Sequence, residues 1–293
     1  MKQQDCLRRF IFEKHGVRGE WVRLEQSWQQ AKQHQHLVND AVDAQMGQAL
    51  AAVVLLSATI KFKGAMIMQI QGGGELKALV AQSSNERQIR GLVRSEANVA
   101  GANLQEMIGE GGRLVLTVES ENGEPYQGIV GVEAETLADV LRTYFTQSEQ
   151  LDTRLWLFAN KTHAAGLFIQ ELPSSNQDKA DWERIEILAN TVTAEELLSL
   201  DCEDLLHRLF HQEEVKIYEP EAVEFKCACS RQKIGGTLAA LGRSELQAIL
   251  QERNDIEVDC QFCGAQYRFD TVDVENLLTN PVAETETNSP TRH

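Results

Sequence analysis

The chain has 293 residues, 42% of them hydrophobic, and its 44 acidic against 28 basic side chains leave a formal charge of −16. That length suits one large core plus a smaller unit, because single cores stop growing near about 250–300 residues. The acidic balance opposes non-specific attraction to nucleic-acid phosphates and anionic lipid surfaces, so no nucleic-acid or membrane partner is expected. Met1 to Phe12 is charged throughout and has no apolar core of signal-peptide length. The longest apolar stretch, Ala49 to Ala58, is too short to span a bilayer, and a cytoplasmic location is expected.

In chain order, Leu7 to Phe12 and Val17 to Leu24 read as strands joined by a turn at His15 and Gly16. Ser27 to Ile60 is predicted helical with a break near His36. Its second part carries Met46, Leu50, Val53 and Val54 among small alanines with almost no charge, which predicts a central buried helix. Met66 to Ile70 and Leu76 to Ala81 flank Gly72, Gly73 and Gly74 as a hairpin. A phosphate-cradling loop would need a lysine and a hydroxyl residue at fixed offsets, and neither is present. The same holds at Gly109, Gly111 and Gly112, before the strand Arg113 to Glu119. Glu133 to Ser148 reads as a helix, and Arg154 to Ala159 and Ala165 to Leu172 as strands. Residues 1–177 are therefore expected to form an α+β domain, with helices packed on a mostly antiparallel sheet.

After Pro173 the composition changes. Residues 178–224 hold 14 acidic and four basic side chains, a net charge of −10 in roughly a sixth of the chain. Helix starts are written into this stretch: Thr193 with Glu196 fits a capping box, and Asp201 precedes Leu205, Leu206, Leu209 and Phe210 at helical spacing. Either this is a linker of short amphipathic helices docked on the first domain, or its fold is marginal because carboxylate repulsion works against a modest apolar face. Residues 225–279 read as a small C-terminal domain. In it Ser244 and Gln247 cap a helix over Glu245 to Glu252, Ile256 to Val258 and Tyr267 to Phe269 are short strands, and Val274 to Leu278 begins a last helical turn. The tail 280–293, rich in Thr, Glu, Asn and Pro, is expected to be disordered.

Four of the six cysteines are grouped as C-x-C, thirty residues, then C-x-x-C: Cys227 and Cys229, then Cys260 and Cys263 followed by Gly264. Residues two apart in an extended chain face one side, so Cys227 and Cys229 can point at one metal. Cys260 to Gly264 has the form of a zinc knuckle whose glycine accepts a tight turn. Four thiolates suit one tetrahedral Zn2+, and in so small a domain the metal would supply much of the folding energy. Structural zinc, a zinc-controlled thiol switch and a metal-free cluster all fit the spacing. The switch is favoured because C-x-C is less common in inert ribbons and both pairs can reach disulfide geometry. Flanking Lys226 and Arg231 are expected to favour thiolates. Cys6 and Cys202 read as free thiols. Oxidation would turn ligands into disulfide sulfurs of little metal affinity, unfold the small domain and free the linker. The exposed Leu205, Leu206, Leu209 and Phe210 would then bind unfolded proteins.

Rival functions are less well supported. His34, His36, His207, His211, Asp40 and Asp43 invite a catalytic or ligand role, but no HExxH motif or clustered carboxylate pair accompanies them. They read as surface or capping groups, and the chain is not expected to be an enzyme. A nucleic-acid-binding knuckle would need a Lys/Arg stripe interleaved with aromatics, which the C-terminal domain lacks.

The four-cysteine end, the Arg18-Gly19 strand with Val22 and Leu24, the Gly72 to Gly74 turn, the Gly166 to Pro173 strand and the acidic linker together resemble the redox-regulated 33 kDa chaperonin family of bacterial cytosolic heat-shock holdases. The resemblance implies one zinc in the reduced, inactive state. Under oxidative stress it implies the disulfides Cys227–Cys229 and Cys260–Cys263, metal release and an unfolded linker. It further implies ATP-independent holding of unfolding clients, a homodimer when activated, and hand-over to ATP-dependent foldases. Ala165 and Ser174 stand where relatives often carry glycine, so local turns are expected to differ. Cys202 lies outside the family's motif.

Overall fold

Strands β1 (Cys6–Phe12) and β2 (Val17–Leu24) carry apolar side chains on both faces, a pattern that requires cover on both sides. The computed structural model describes residues 5–35, 39–121, 123–173 and 179–279. His36, Ser174 and the tail 280–293, on which sequence expectations fell, lie outside them. The chain divides into two compact units, Met1–Lys226 and Cys227–His293.

In the first unit, α1 (Gln26–Gln33) is followed by α2 (Asp40–Thr59), two separate helices in keeping with the break expected in the Ser27 to Ile60 stretch. The second begins where the Asn39 side chain accepts the amides of Ala41 and Val42. Asn39, and not Asp40 or Asp43, is thus the cap. α2 is long and apolar enough to cross a membrane, yet its apolar side chains are buried inside the fold.

Next come β3 (Gly64–Gln71) and β4 (Leu76–Ser84), the expected hairpin, then β5 (Gln88–Ser95), α3 (Leu104–Ile108), β6 (Arg113–Ser120) and β7 (Tyr126–Gly131). β5, α3 and β7 carry weak apolar patterns and were not predicted. α4 (Leu137–Tyr144) is shorter than the expected Glu133 to Ser148 helix, because Thr136 caps it and it loosens into a π-turn over Phe145–Glu149. β8 (Thr153–Ala159) and β9 (Ala164–Glu171) complete the core strands. Ala165 sits inside β9 opposite Arg23, so its departure from glycine changes no turn.

The strands form two sheets where one was expected. The first runs β1-β2-β9-β8 with all pairs antiparallel. The second runs β5-β4-β3-β6-β7, also antiparallel. α2 packs against strands of both sheets, and Met46, Leu50, Val53, Val54 and Leu55 form the centre of the main apolar core.

The acidic segment belongs to this unit. It folds as α5 (Lys179–Ala189), α6 (Ala194–Ser199) and α7 (Cys202–Phe210). Three two-residue strands follow: β10 (Lys216–Ile217) and β11 (Glu221–Ala222) pair with β1, and β12 (Glu224–Phe225) pairs in parallel with β5. This last pairing places residues 225 and 226 with the first unit.

The second unit contains α8 (Arg231–Ala239), α9 (Arg243–Glu252), the hairpin β13 (Asp255–Asp259) and β14 (Gln266–Asp270), and α10 (Thr271–Thr279). The expected cap at Ser244 is not made: α9 starts one residue earlier, after Gly242, without a side-chain cap. Ser230 does cap, accepting the Lys233 amide at the head of α8, a helix that the pair Gly235-Gly236 hid from propensity reading.

Within the first unit Glu20 of β2 is fully enclosed. Burial pushes its carboxyl up to about 7, against the pull of Arg18, Arg9 and Arg87. The folded value lies above the ordinary 4.5, so stability from this group is full below about 4.5 and is lost as pH rises through about 7. Glu20→Gln should remove that loss. Thermal unfolding should show the variant melting about 5 °C or more above the wild type at pH 8, with the gap closing near pH 5.

Candidate functional site

The four grouped cysteines meet at one end of the second unit. Cys227 and Cys229 lie on the extended stretch before α8, and Cys260 and Cys263 on the turn between β13 and β14. Gly264 adopts φ +68°, and its amide donates to the Cys260 carbonyl at 2.7 Å. A side chain would be strained there, so the glycine after the second knuckle cysteine closes the turn. All four sulfurs lie within 4.8 Å of one another, with Cys227–Cys260 at 3.7 Å and Cys229–Cys263 at 3.4 Å. A tetrahedral zinc site with Zn–S of about 2.3 Å has sulfur–sulfur edges of about 3.8 Å, so the cluster fits a zinc site in size and donor chemistry.

The site has its own electrostatics. Burial resists ionisation of Cys229, but the Tyr267 hydroxyl, donating at 3.2 Å, and the thiols of Cys263, Cys227 and Cys260 bring it down to about 7. Burial, with hydrogen bonds to Cys229, Cys227 and Cys260, pushes Cys263 up to about 12, and burial with hydrogen bonds to Cys229 and Cys260 raises Cys227. The hydrogen bond to Cys229 pushes Tyr267 up to about 12. One thiolate is therefore favoured at neutral pH and its negative charge raises the cost of the next, a cost that a bound cation would offset.

Lys226 and Arg231 were expected to provide this bias. Instead, Lys226 lies beside Glu224 at 3.9 Å, while Arg231 pairs with Asp273 at 2.7 Å and stacks on the Phe269 ring. The group that acts is Tyr267, which sequence reading used only as a strand residue. Its place four residues after the knuckle, on the strand leaving the turn, was the available signal.

The remaining candidates do not assemble. His207 and His211 are exposed on and just after α7, and among the described residues the four cysteines are the one potential metal-binding group. His34 is the C-cap of α1, and Asp40 pairs with Lys161 at 3.0 Å on the surface. Cys6 and Cys202 are both buried.

The second notable surface is the face of the first sheet turned away from α2. Alternate residues Cys6, Phe10 and Phe12 of β1, Val17 and Trp21 of β2, and Ala165, Leu167 and Ile169 of β9 present one apolar layer. The acidic segment covers it. Leu205, Leu206, Leu209 and Phe210 are at most 3% exposed in that layer, and the Phe12 and Phe210 rings meet edge-on at 4.8 Å.

Several carboxylates of the segment are paired with cations of the sheet and the turn beside it. Arg8 bonds Glu203 at 2.9 Å, Arg23 bonds Asp201 at 2.6 Å and Arg154 bonds Glu186 at 2.5 Å. His15 bridges Asp181 and Glu213, both at 2.8 Å. Repulsion within the segment is thus offset by cations that the sheet supplies. These arginines, together with Trp21 and Phe10, are the docking residues that sequence reading missed. Gly19 belongs with them, since a Cβ there would fall 2.1 Å from the Phe10 ring.

The fold agrees with the comparisons to known proteins. The family profile described as Hsp33 protein matches residues 5–270. The chain is 52% identical over 293 residues to a 33 kDa chaperonin of Nitrosococcus oceani, covering 100% of both chains. It is 43% identical over 285 residues to one of Shewanella loihica, covering 97% of this chain and 99% of the relative. In fold it is similar to the crystal structure of a 33 kDa chaperonin, a heat shock protein 33 homologue, from Thermotoga maritima, with TM-score 0.78 and 24% identity over 95% of this chain and 99% of that one. Matches to chaperonins over nearly the whole length of the chain put it in a chaperone family. The chain belongs to the Hsp33 family.

Tyr267→Phe removes the hydroxyl donor to Cys229 and should raise the thiol's pKa while sparing the fold. In metal-free protein, the rate of Cys229 alkylation against pH, read by mass spectrometry, should show its midpoint near 7 in the wild type and move to higher pH in the variant.

Proposed function

We propose that the protein is a cytosolic, redox-regulated, ATP-independent holdase. In the reduced state it holds one zinc through Cys227, Cys229, Cys260 and Cys263, and oxidation of these cysteines releases the acidic segment to bind unfolding proteins. The observation that carries this reading is a metal-sized four-sulfur cluster in a unit whose buried apolar core, among the described residues, is Leu238, Leu246, Ile256, Phe269 and Val274, with Cys260 beside them. A core that small is marginal by itself. Zinc, when bound, would tie the stretch before α8 to the β13–β14 turn and contribute folding energy directly.

Oxidation acts on the sulfurs. Two thiols joined as a disulfide give up two electrons and two protons to the oxidant, and the resulting sulfurs no longer carry the charge that holds a dication. The pairs Cys227–Cys229 and Cys260–Cys263 rest on the family resemblance. The mutual proximity of all four sulfurs is compatible with them. With its cross-link gone, the small unit loses its fold.

The stretch from Phe210 to Cys227 is held by strands of two residues each, the type of contact that opens at low cost. Release uncovers two apolar surfaces at once: Leu205, Leu206, Leu209 and Phe210 on the segment, and Phe10, Phe12, Trp21, Leu167 and Ile169 on the sheet. The segment's dense charge keeps such a surface soluble while it binds clients. Association into homodimers when active, and transfer of clients to ATP-dependent foldases, follow from the family resemblance.

An aggregation assay on an unrelated thermally unfolding protein tests the reading. Peroxide-treated protein should suppress light scattering and release about one zinc per chain, read with a metallochromic dye, whereas reduced zinc-loaded protein should do neither. Equal suppression by both samples without zinc release would sink it.

A second test loosens the docking surface directly. Phe210→Asp places a charge against the Phe12 ring and sacrifices a burial worth about 3–5 kcal/mol. The reduced variant should hold clients without oxidant, and hydrogen exchange over residues 194–210 should accelerate. Unchanged protection there together with full inactivity would refute this surface as the gate.

A further inference from the structure

β1 and α7 each bury a thiol outside the metal cluster. Cys6 opens β1 and Cys202 opens α7, at 5% and 0% exposure, both within the apolar layer between sheet and acidic segment. Their neighbours locate them at one point of the docking contact. Arg23 lies directly opposite Cys6 in the β1–β2 ladder, so the two side chains share a face. Its guanidinium donates to the carbonyls of Ser199 and Leu200, at 3.2 and 2.8 Å, and to the Asp201 carboxylate at 2.6 Å. Arg8, two residues beyond Cys6 on the same face, pairs with Glu203 at 2.9 Å. The arginines that flank Cys6 therefore grip the residues on either side of Cys202.

We propose that Cys6 and Cys202 are a second thiol pair, shielded while α7 is docked and oxidised to a disulfide when that contact loosens, which staples the start of α7 to β1. The inference rests on the release described under the proposed function. In the docked state, burial keeps both groups as thiols, Cys6 being pushed up to about 11, and attack on a peroxide requires the thiolate. Loosening returns them to water. One thiolate then attacks a peroxide oxygen, giving a sulfenic acid and hydroxide, and the other thiol displaces the sulfenic oxygen as water. In sum two thiols and one hydrogen peroxide give one disulfide and two waters. The new bond holds the segment to the strand it had left, so it limits how long the apolar layer stays open, in opposition to the cluster cysteines.

The full-length protein is treated with excess hydrogen peroxide at a temperature that activates it, quenched with an alkylating agent at intervals, digested and mapped for cross-linked peptides. Cys6→Ala and Cys202→Ala run in parallel, both small apolar replacements for buried thiols. A Cys6–Cys202 peptide should appear after metal release, and wild-type suppression of aggregation should then fall severalfold while both variants retain theirs. Recovery of Cys6 and Cys202 only as separate alkylated peptides at every time overturns the proposal. So do activity time courses that superimpose in wild type and variants despite the cross-link. If peroxide fails to open the segment at all, the holdase reading fails. The same mapping in urea sufficient to undock residues 179–210 then decides the thiol pair independently: the cross-link supports it and its absence overturns it.

Discussion

A sheet that is apolar on both faces must be covered on both, and the rest of the larger unit is arranged around that constraint. α2 covers one side of β1-β2-β9-β8, sharing itself with the second sheet. Among the described residues no further helix of the N-terminal portion is left for the other side, where Phe10, Phe12, Trp21, Leu167 and Ile169 form an apolar layer. The acidic segment supplies that cover. At about 1.5–3 kcal/mol for each large side chain removed from water, the buried residues on the two sides far exceed what surface ion pairs contribute. Docking is hydrophobic in its energy and electrostatic in its register: Arg8 and Arg23 fix where the start of α7 sits, and Arg154 holds α5 at Glu186.

The same arrangement explains how a segment of charge −10 can both pack and let go. Bound, several of its carboxylates, among them Glu186, Asp201 and Glu203, face arginines of the sheet. On the proposed reading, once detached they face each other, which disfavours collapse of the freed helices into a compact alternative and keeps them solvated. On that reading the charge is partly offset in the closed state and helps to maintain the open one.

Much of this was legible in the residues. The cysteine spacing identified the cluster without help from the fold, because four soft ligands in two close pairs admit few other uses. The buried α2 and the capping box at Thr193, both realised, follow from local periodicity and local hydrogen bonding. What escaped reading was long-range. β5 and β7 have mixed patterns, and their strand character comes from pairing with β4 and β6. The matching of Arg23 with Asp201 joins residues 178 positions apart, so net charge counted along the chain misread repulsion where space provides attraction. One clue was present: Phe10, Phe12 and Trp21 alternate with Leu7, Val22 and Leu24, apolar on both sides, and a strand of that kind announces a missing cover.

Coupling between the sulfur cluster and the docked helices requires no rigid lever. Between Phe210 and Cys227 the chain is fastened by backbone bonds such as Tyr218 to Arg9, Val223 to Asp5, Glu224 to Arg87 and Lys226 to Ile89. Each belongs to a pairing two residues long, too short to be stable alone. Such fasteners persist only while the chain at both of their ends is immobilised, since ordering each residue costs on the order of 1–2 kcal/mol. On the proposed reading, a folded cysteine unit immobilises one end and the docked α7 the other. Melting the first end leaves β12, then β11, then β10 with a free neighbour, so release progresses toward α7 by loss of entropic support. Its last barrier is the apolar layer and the two arginines that hold the turn at Cys202.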